Sequence, residues 1–578
     1  MKRIVITGSG IVSAIGVGKQ ETLESLLREQ SGIGAMCHLQ SVHRLPVGEV
    51  RLTNEEIRKR FILDKPASRS ALLGILAARE AIEEASVNAA LLAKSALISG
   101  TTVGGMETTE RDYLSWTHNQ HLETIALHDA GSTTETIASA LGGVAFSTTT
   151  STACSSALNA IISGANMLLT GDAECVIAGG TECLSKFHLN GFNALMILDH
   201  EPCRPFDDTR AGLNLGEGAA YIVLETEEHA LQRGARIIAY LSGYANACDA
   251  YHQTASSENG EGAYFAMTGA LRMAGIEPAA IDYVNAHGTA TPNNDQSESN
   301  ALKRVFGEHL PAVSSSKSMT GHTTSASGSV ETVICLLCMQ YGFVPANVNF
   351  HTPMSNGIIP VAHNEQKQLT HVMCNSFAFG GNDSCLILSS PKYAEMSIER
   401  RNTSLLTIKE VANVVIDEPA DYKQYISAME ARRLTEQMRR VVVAAHKALE
   451  QAKVAMPDAI VTGTEWGCIV NTMQFLDPLC REGEEGLKPT SFMQSTHNTV
   501  SSLIAMQLKC HGYNATFSHG TDSFEHARRD AENLLKLGLA KTALVLGFDE
   551  SDDRWNNILS KVNRSVPNIA KAIVLKVR

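Results

Sequence analysis

The chain has no surplus of positive charge: 48 Lys and Arg stand against 61 Asp and Glu, a formal charge of -13 over 578 residues. Binding to phosphate backbones draws on the opposite balance, which argues against a general nucleic-acid binder. There is no uninterrupted apolar run of roughly 18 residues, the length a membrane-spanning helix needs, so no membrane insertion is expected. The opening Met1-Lys-Arg-Ile-Val-Ile-Thr-Gly-Ser-Gly10 starts with positive charge, but Gly and Ser break its apolar run too early for a signal peptide. The 13 cysteines are odd in number and irregularly spaced, which does not fit a secreted disulfide framework and suits a reducing, cytoplasmic compartment. Cys335-Leu-Leu-Cys338 has zinc-ligand spacing, yet it lies in an apolar stretch without a second Cys or His pair, so it reads as helix packing and no metal is expected. Gly8-Ser-Gly10 lacks the third glycine of a dinucleotide loop, with Ser13 in its place, and reads as a tight turn closing a strand.

What is present is the balance of a packed globule, 44% hydrophobic and 19% charged, long enough for two or three core-bearing units. Strand-like runs at Ile4-Val-Ile-Thr, Ala96-Leu-Ile-Ser, Glu174-Cys-Val-Ile-Ala and Ala220-Tyr-Ile-Val-Leu interleave with helical patterns at Thr22 to Glu29, before Val87 and after Cys154. Residues 1–235 thus make one α/β half. Residues 236–392 make a second, with strands near Arg236-Ile-Ile-Ala-Tyr, Asp282-Tyr-Val-Asn-Ala, His371-Val-Met-Cys and Cys385-Leu-Ile-Leu. Residues 393–416 turn charged and irregular, at Glu399-Arg-Arg-Asn-Thr, and read as a linker to a further unit over 417–578.

That further unit repeats the first. Gly171 to Gly179 compares with Gly538 to Leu546 at an offset of 367, which also pairs Ala81 with Ala448, Leu141 with Leu508 and Asn166 with Asn533. Ile98-Ser-Gly-Thr-Thr-Val-Gly-Gly resembles Val461-Thr-Gly-Thr-Glu-Trp-Gly-Cys at an offset of 363, so the second copy loses four residues before this strand and regains them after it. Cys154 then corresponds to Thr521, and the chain ends before any counterpart of the later motifs, so the second copy is expected to be catalytically silent.

Cys154 lies in Ser-Thr-Ala-Cys-Ser-Ser-Ala-Leu-Asn-Ala-Ile, a small-residue turn feeding a helix. At a helix N-terminus the free amides and the helix dipole stabilise a thiolate, predicting a thiol pKa lowered from roughly 8.5 toward neutrality. Downstream come Val-Asn-Ala-His287-Gly-Thr-Ala-Thr-Pro, Ser-Ser-Lys317-Ser-Met-Thr-Gly-His322 and Asn-Ser-Phe-Ala-Phe379-Gly-Gly. Any one of these is usually a turn or a loop; their joint order is not.

These four motifs, with Arg204-Pro-Phe-Asp and Gly216-Glu-Gly, resemble the β-ketoacyl-[acyl carrier protein] synthases over residues 1 to about 390. The resemblance implies a thiolase-like layered αβαβα fold, plus a half-thiolase-like α/β domain at the C-terminus. It implies an acyltransferase in which Cys154 accepts an acyl chain, His287 and His322 hold the enolate of a decarboxylating malonyl thioester, and Lys317 polarises the site. Phe379 and Cys154 would supply the oxyanion-hole amides, and Phe379-Gly380-Gly381 a gating loop. Thr289 and Thr291 would hold the pantetheine arm, and Glu331 would be structural. No cofactor is implied, since both substrates ride on the phosphopantetheine of an acyl carrier protein, whose acidity predicts a basic patch beside the site. Thiolases, by contrast, pair two cysteines with one histidine.

The sequence departs from the family at Thr323-Thr-Ser-Ala-Ser, where apolar and glycine residues are usual, and at Asn293-Asn294. The resemblance also implies a homodimer, or an intramolecular pseudo-dimer through residues 417–578 acting as a chain-length factor, as in polyketide or aryl polyene pathways. Trp466, matched to Val103 by the 363 offset, is the candidate pocket stop. Housekeeping fatty-acid elongation with a stabilising extra domain, and a non-catalytic scaffold, are the alternatives.

Overall fold

The computed structural model describes residues 2–61, 63, 65–395, 405–566 and 568–578. Its centre is a 16-stranded sheet. In residues 1–395 the sheet forms two leaves that enclose a pair of helices. Ser156–Thr170 is buried from Ser156 to Leu168, and Ser327–Tyr341 from Ser327 to Cys338. Helix Arg69–Glu84 covers one outer face, against strands Ile4–Ser13 and Gly218–Thr226, and Glu261–Ala274 covers the other, against Ala239–Cys248 and Asn382–Ser389. The result is the layered αβαβα arrangement of the thiolase-like fold. Cys335 and Cys338 lie in the central helix as core. No described helix is long and apolar enough to cross a membrane.

Three expectations need correction. The first strand does not turn at Gly8-Ser-Gly10 but runs buried through both glycines from Ile4 to Ser13. A Cβ on Gly8 would lie 2.2 Å from the Ala81 carbonyl oxygen, and one on Gly10 2.1 Å from that of Ala77. These glycines let helix Arg69–Glu84 rest directly on the strand. The strand expected from Arg236 begins only at Ala239. The linker is shorter than 393–416, because Ile408–Ile416 is a strand paired antiparallel with Ala570–Val577; its residues 396–404, with Glu399, lie outside the described residues.

The elements of 408–578 follow the repeat. Helix Glu436–Ala452 matches Arg69–Glu84, strand Ala459–Gly463 matches Ala96–Gly100 at 363, and strand Tyr513–Phe517, helix Ser523–Lys536 and strand Thr542–Phe548 match Phe146–Thr150, Ser156–Thr170 and Cys175–Glu182 at 367. The two copies join edge to edge. Thr150 pairs antiparallel with Phe517, flanked by Ser151 N donating to Thr516 O at 2.8 Å and Ser518 N to Thr149 O at 2.9 Å. Ser163 Oγ donates to Asp530 Oδ1 at 2.9 Å. Thr150 with Phe517 and Ser163 with Asp530 are each a position and its own counterpart 367 residues later.

Gly10→Ala is expected to lower unfolding stability by about 1–3 kcal/mol, the usual range for forcing a group into a packed contact. A thermal midpoint equal to that of the unsubstituted protein would contradict the close approach.

Candidate active site

Cys154 sits in the one-turn helix Ala153–Ser155 that leads into Ser156–Thr170. Ala153, at φ +52°, makes the bend that turns the chain from strand into helix. Ser376 Oγ donates to Cys154 O at 2.9 Å, and Ser155 Oγ to Asn382 Oδ1 at 2.8 Å, tying the turn to the strand pair that carries Phe379 at its connecting bend.

His322 Nε2 lies 3.1 Å from Cys154 Sγ, and its Nδ1 lies 2.9 Å from Ser327 Oγ. His287 is held by its turn, where His287 N and Gly288 N donate to Glu298 at 2.9 and 2.7 Å. Its Nδ1 is 3.2 Å from Lys317 Nζ, which also pairs with Glu331. The Cys154 sulfur and one nitrogen of each histidine lie within 4.8 Å of one another.

Burial depresses both imidazoles well below the ordinary histidine range, and the Lys317 charge depresses them further, so both are neutral. An ammonium offers only donors, so His287 Nδ1 accepts from Lys317 and carries its own proton on Nε2. Burial pushes the Glu331 carboxyl up to about 7, against the pull of Lys317.

The thiol itself differs from expectation. Burial raises Cys154 to about 12, and Lys317 and the amides of Phe379 and Cys154 only partly oppose this. A helix N-terminus stabilises a thiolate through a few N–H groups; full desolvation of the sulfur outweighs them. The proton must therefore leave to a neighbour during reaction, and His322 is in contact.

Phe379 stacks on Phe192 with ring centroids 5.7 Å apart, and its carbonyl accepts from Asn498 Nδ2 at 2.9 Å. Gly380 and Gly381 follow at φ +84° and +69°. Thr289 and Thr291 share a 2.9 Å contact between hydroxyls. Among the departures from the family, Ser327 contacts His322, Ser325 Oγ donates to Glu182 at 2.8 Å, and Asn293 Oδ1 accepts from Ser256 N at 2.8 Å.

Cys154 opens on a cavity of about 20 Å³ lined by Phe187, His188, Phe192, Thr324, Phe379 and Phe492. A second cavity of about 20 Å³ shares Thr102, Val103, Phe187 and Ser495 with it and reaches Trp466 and His128. Val103 and Trp466 thus line the same space, which lies beyond the cavity of Cys154. Trp466 is fixed between Trp555, at 5.3 Å, and His128, at 6.1 Å, with the Arg564 guanidinium 4.8 Å from its ring centre. Sequence reasoning missed His188 and the contributions of Phe492, Ser495, His497 and Asn498, which carry no motif. The repeat offset was the one available signal for the last four.

Residues 1–230 match the β-ketoacyl synthase N-terminal domain, residues 238–351 its C-terminal domain, and residues 408–576 a second N-terminal domain. The chain is 35% identical over 416 residues to the 3-oxoacyl-[acyl-carrier-protein] synthase 2 of Staphylococcus aureus, covering 67% of this chain and 98% of that protein. The ishigamide ketosynthase/chain length factor is 30% identical with a TM-score of 0.64 over 67% of this chain and 99% of that one. The PfaC keto synthase-chain length factor shares the fold at 16% identity, with a TM-score of 0.84 over 100% of this chain and 78% of that one. The chain belongs to the β-ketoacyl synthase family and is a condensing enzyme of the acyltransferase class.

Replacing Lys317 by Met removes the charge that lowers the Cys154 pKa. The thiol then holds less thiolate at any pH below its pKa, and iodoacetamide labelling of Cys154 at pH 8, read by peptide mass mapping, is expected to slow by about tenfold per unit of pKa. Equal rates would show that the charge does not act on the sulfur.

Proposed function

We propose that the chain catalyses decarboxylative condensation of an acyl group on Cys154 with malonyl-[acyl carrier protein], giving β-ketoacyl-[acyl carrier protein] and carbon dioxide. The observation that carries this reading is the convergence of the Cys154 sulfur with His287 and His322 within 4.8 Å, backed by Lys317.

In the first half-reaction His322 takes the thiol proton as the sulfur attacks the acyl thioester. The amides of Cys154 and Phe379, both directed at the sulfur, suit the oxyanion of the tetrahedral intermediate. The carrier thiol leaves with the proton. In the second, malonyl thioester enters, and its carbonyl oxygen receives a hydrogen bond from His287 Nε2, the nitrogen that carries the proton, with His322 lining the same site, as carbon dioxide departs. The enolate carbon attacks the Cys154 thioester, and the sulfur leaves as thiolate, stabilised by the same amides and by Lys317. Thr289 and Thr291, whose hydroxyls lie 2.9 Å apart, would hold the pantetheine arm.

The fused half is catalytically silent in this reading and acts as a chain-length factor within an intramolecular pseudo-dimer. Thr521 stands where the nucleophile would be, and strand Tyr513–Phe517 occupies the edge of Phe146–Thr150 that a second subunit would otherwise cover. Its residues Phe492, Ser495 and Thr496 wall the Cys154 cavity, and Trp466 closes the space beyond. This arrangement supports polyketide-type synthesis with a set product length over a stabilising role alone.

Intact-carrier mass spectrometry with malonyl- and acyl-carriers tests the reaction, and Cys154→Ala is expected to abolish condensation. Product from Cys154→Ala equal to the parent would overturn it. Trp466→Ala is expected to lengthen the products by one or more two-carbon units, and an unchanged distribution would remove Trp466 as the stop.

A further inference from the structure

His188 is a buried polar residue against the aromatic wall of the cavity into which Cys154 opens. It lies in helix Lys186–Ala194, is 4% exposed, and is packed by the rings of Phe187 and Phe192 at 6.5 and 6.3 Å. Its backbone N donates to Ser185 Oγ, but neither ring nitrogen has a hydrogen-bond partner among the described residues. The other buried imidazoles of the site region differ: His128 reaches Thr109 at 3.1 Å, His497 reaches Ser151 at 2.9 Å, and His287 and His322 are bonded as described above. Thr324 adds a second case. It is 4% exposed, its Oγ1 has no partner, and it holds φ +45°, which a β-branched residue rarely adopts.

Both side chains line the cavity into which Cys154 opens. Burying unpaired polar atoms destabilises a fold, and an apolar side chain at either place would avoid it. Burial holds the His188 ring neutral, with a pKa of about 4, so it offers one N–H donor and one lone pair. The remaining lining combines the rings of Phe187, Phe192, Phe379 and Phe492 with the hydroxyl residues Thr102, Ser495 and Thr496, and holds no Lys, Arg, Asp or Glu. A carboxylate would find no counter-charge there, whereas a neutral oxygen function would find both a donor and a hydroxyl. Because one small cavity holds Cys154, His188 and Thr324, that oxygen lies close to the thioester.

We infer that the acyl group loaded on Cys154 carries a neutral ketone or hydroxyl oxygen, and that His188 and Thr324 recognise it. This rests on the condensing reaction proposed above. His188 is then a specificity-determining residue.

The test uses the full chain and carrier proteins bearing butyryl, 3-oxobutyryl, 3-hydroxybutyryl, benzoyl and 4-hydroxybenzoyl groups, following transfer to Cys154 by intact-protein mass spectrometry. At least one oxygenated group is expected to load about tenfold faster than its unoxygenated match, a site built for hydrogen bonding discriminating strongly against an analogue without one. The arm that wins names the oxygen as ketone, aliphatic hydroxyl or phenol. The ratio should fall toward one in His188→Leu and in Thr324→Val, and be retained in His188→Gln, which restores a donor and an acceptor. No preference in the parent protein, or a preference unchanged in both His188→Leu and Thr324→Val, overturns the inference while leaving the condensing reaction standing. Failure of every carrier to acylate Cys154 overturns both.

Discussion

An edge strand with open N–H and C=O groups must be covered, and the edge of Phe146–Thr150 leads within four residues to Cys154. In this chain the cover comes from its own C-terminal half. Ser151 N donates to Thr516 O, and His497 Nδ1 contacts both Ser151 Oγ and Thr102 O, at 2.9 and 3.1 Å. The turn that presents the nucleophile is therefore fixed from two sides, by the catalytic half's own strands and by the fused half. The same segment continues to Asn498, whose amide holds the carbonyl of Phe379. The Cys154 turn and the Phe379 bend are both referenced to one short stretch of the second copy.

That junction also seals the site, and the sealing sets its electrostatics. Desolvation raises the Cys154 thiol and lowers His287 and His322, so the resting site is a neutral thiol beside neutral imidazoles. A buried lysine would be costly alone, but Lys317 is paired with Glu331 and bonded to His287, which leaves its charge available to the sulfur. The cation fixes the His287 tautomer by being unable to accept. Its second effect is on whichever intermediate carries negative charge, where low dielectric makes a fixed positive charge more effective than in water. Burial and the lysine thus act together: the first keeps the groups neutral at rest, and the second favours charge only when chemistry creates it.

Much of this was legible in the sequence. The order of Cys154, His287, Lys317, His322 and Phe379 carried the family, and a constant offset carried the repeat, because both are local patterns that survive without tertiary information. Gly8 and Gly10 were misread because glycine serves turns and close helix approach alike, and only the helix that lands on them, through the carbonyls of Ala77 and Ala81, decides between these. The thiol pKa was misjudged because the helix N-terminus is visible in sequence and burial is not. His188 was invisible for a similar reason. A histidine in Ser-Lys-Phe-His-Leu-Asn gives no periodic or motif signal, and its significance lies in its ring having no hydrogen-bond partner beside a largely aromatic wall of the Cys154 cavity.

The two copies of one helix show what the fusion demanded. Ser156–Thr170 is buried almost throughout because Ser327–Tyr341, from the second catalytic half, packs against it. Its counterpart Ser523–Lys536 packs against Ser156–Thr170 itself, where Asp530 accepts from Ser163, and among the described residues it has no equivalent of Ser327–Tyr341 on its other side. Its inward positions Ala527, Ala531, Leu534 and Leu535 remain apolar, while Glu525 and Arg529 are exposed and Arg528, Glu532 and Lys536 form a half-buried ladder of ion pairs. The helix has become amphipathic, as a surface helix must. Where the second copy meets the first it kept its contacts, through Asp530 to Ser163 and Phe517 to Thr150. Packing of the junction and wetting of the opposite face are separate requirements, and the sequence of a single helix satisfies both at a period of 3.6 residues.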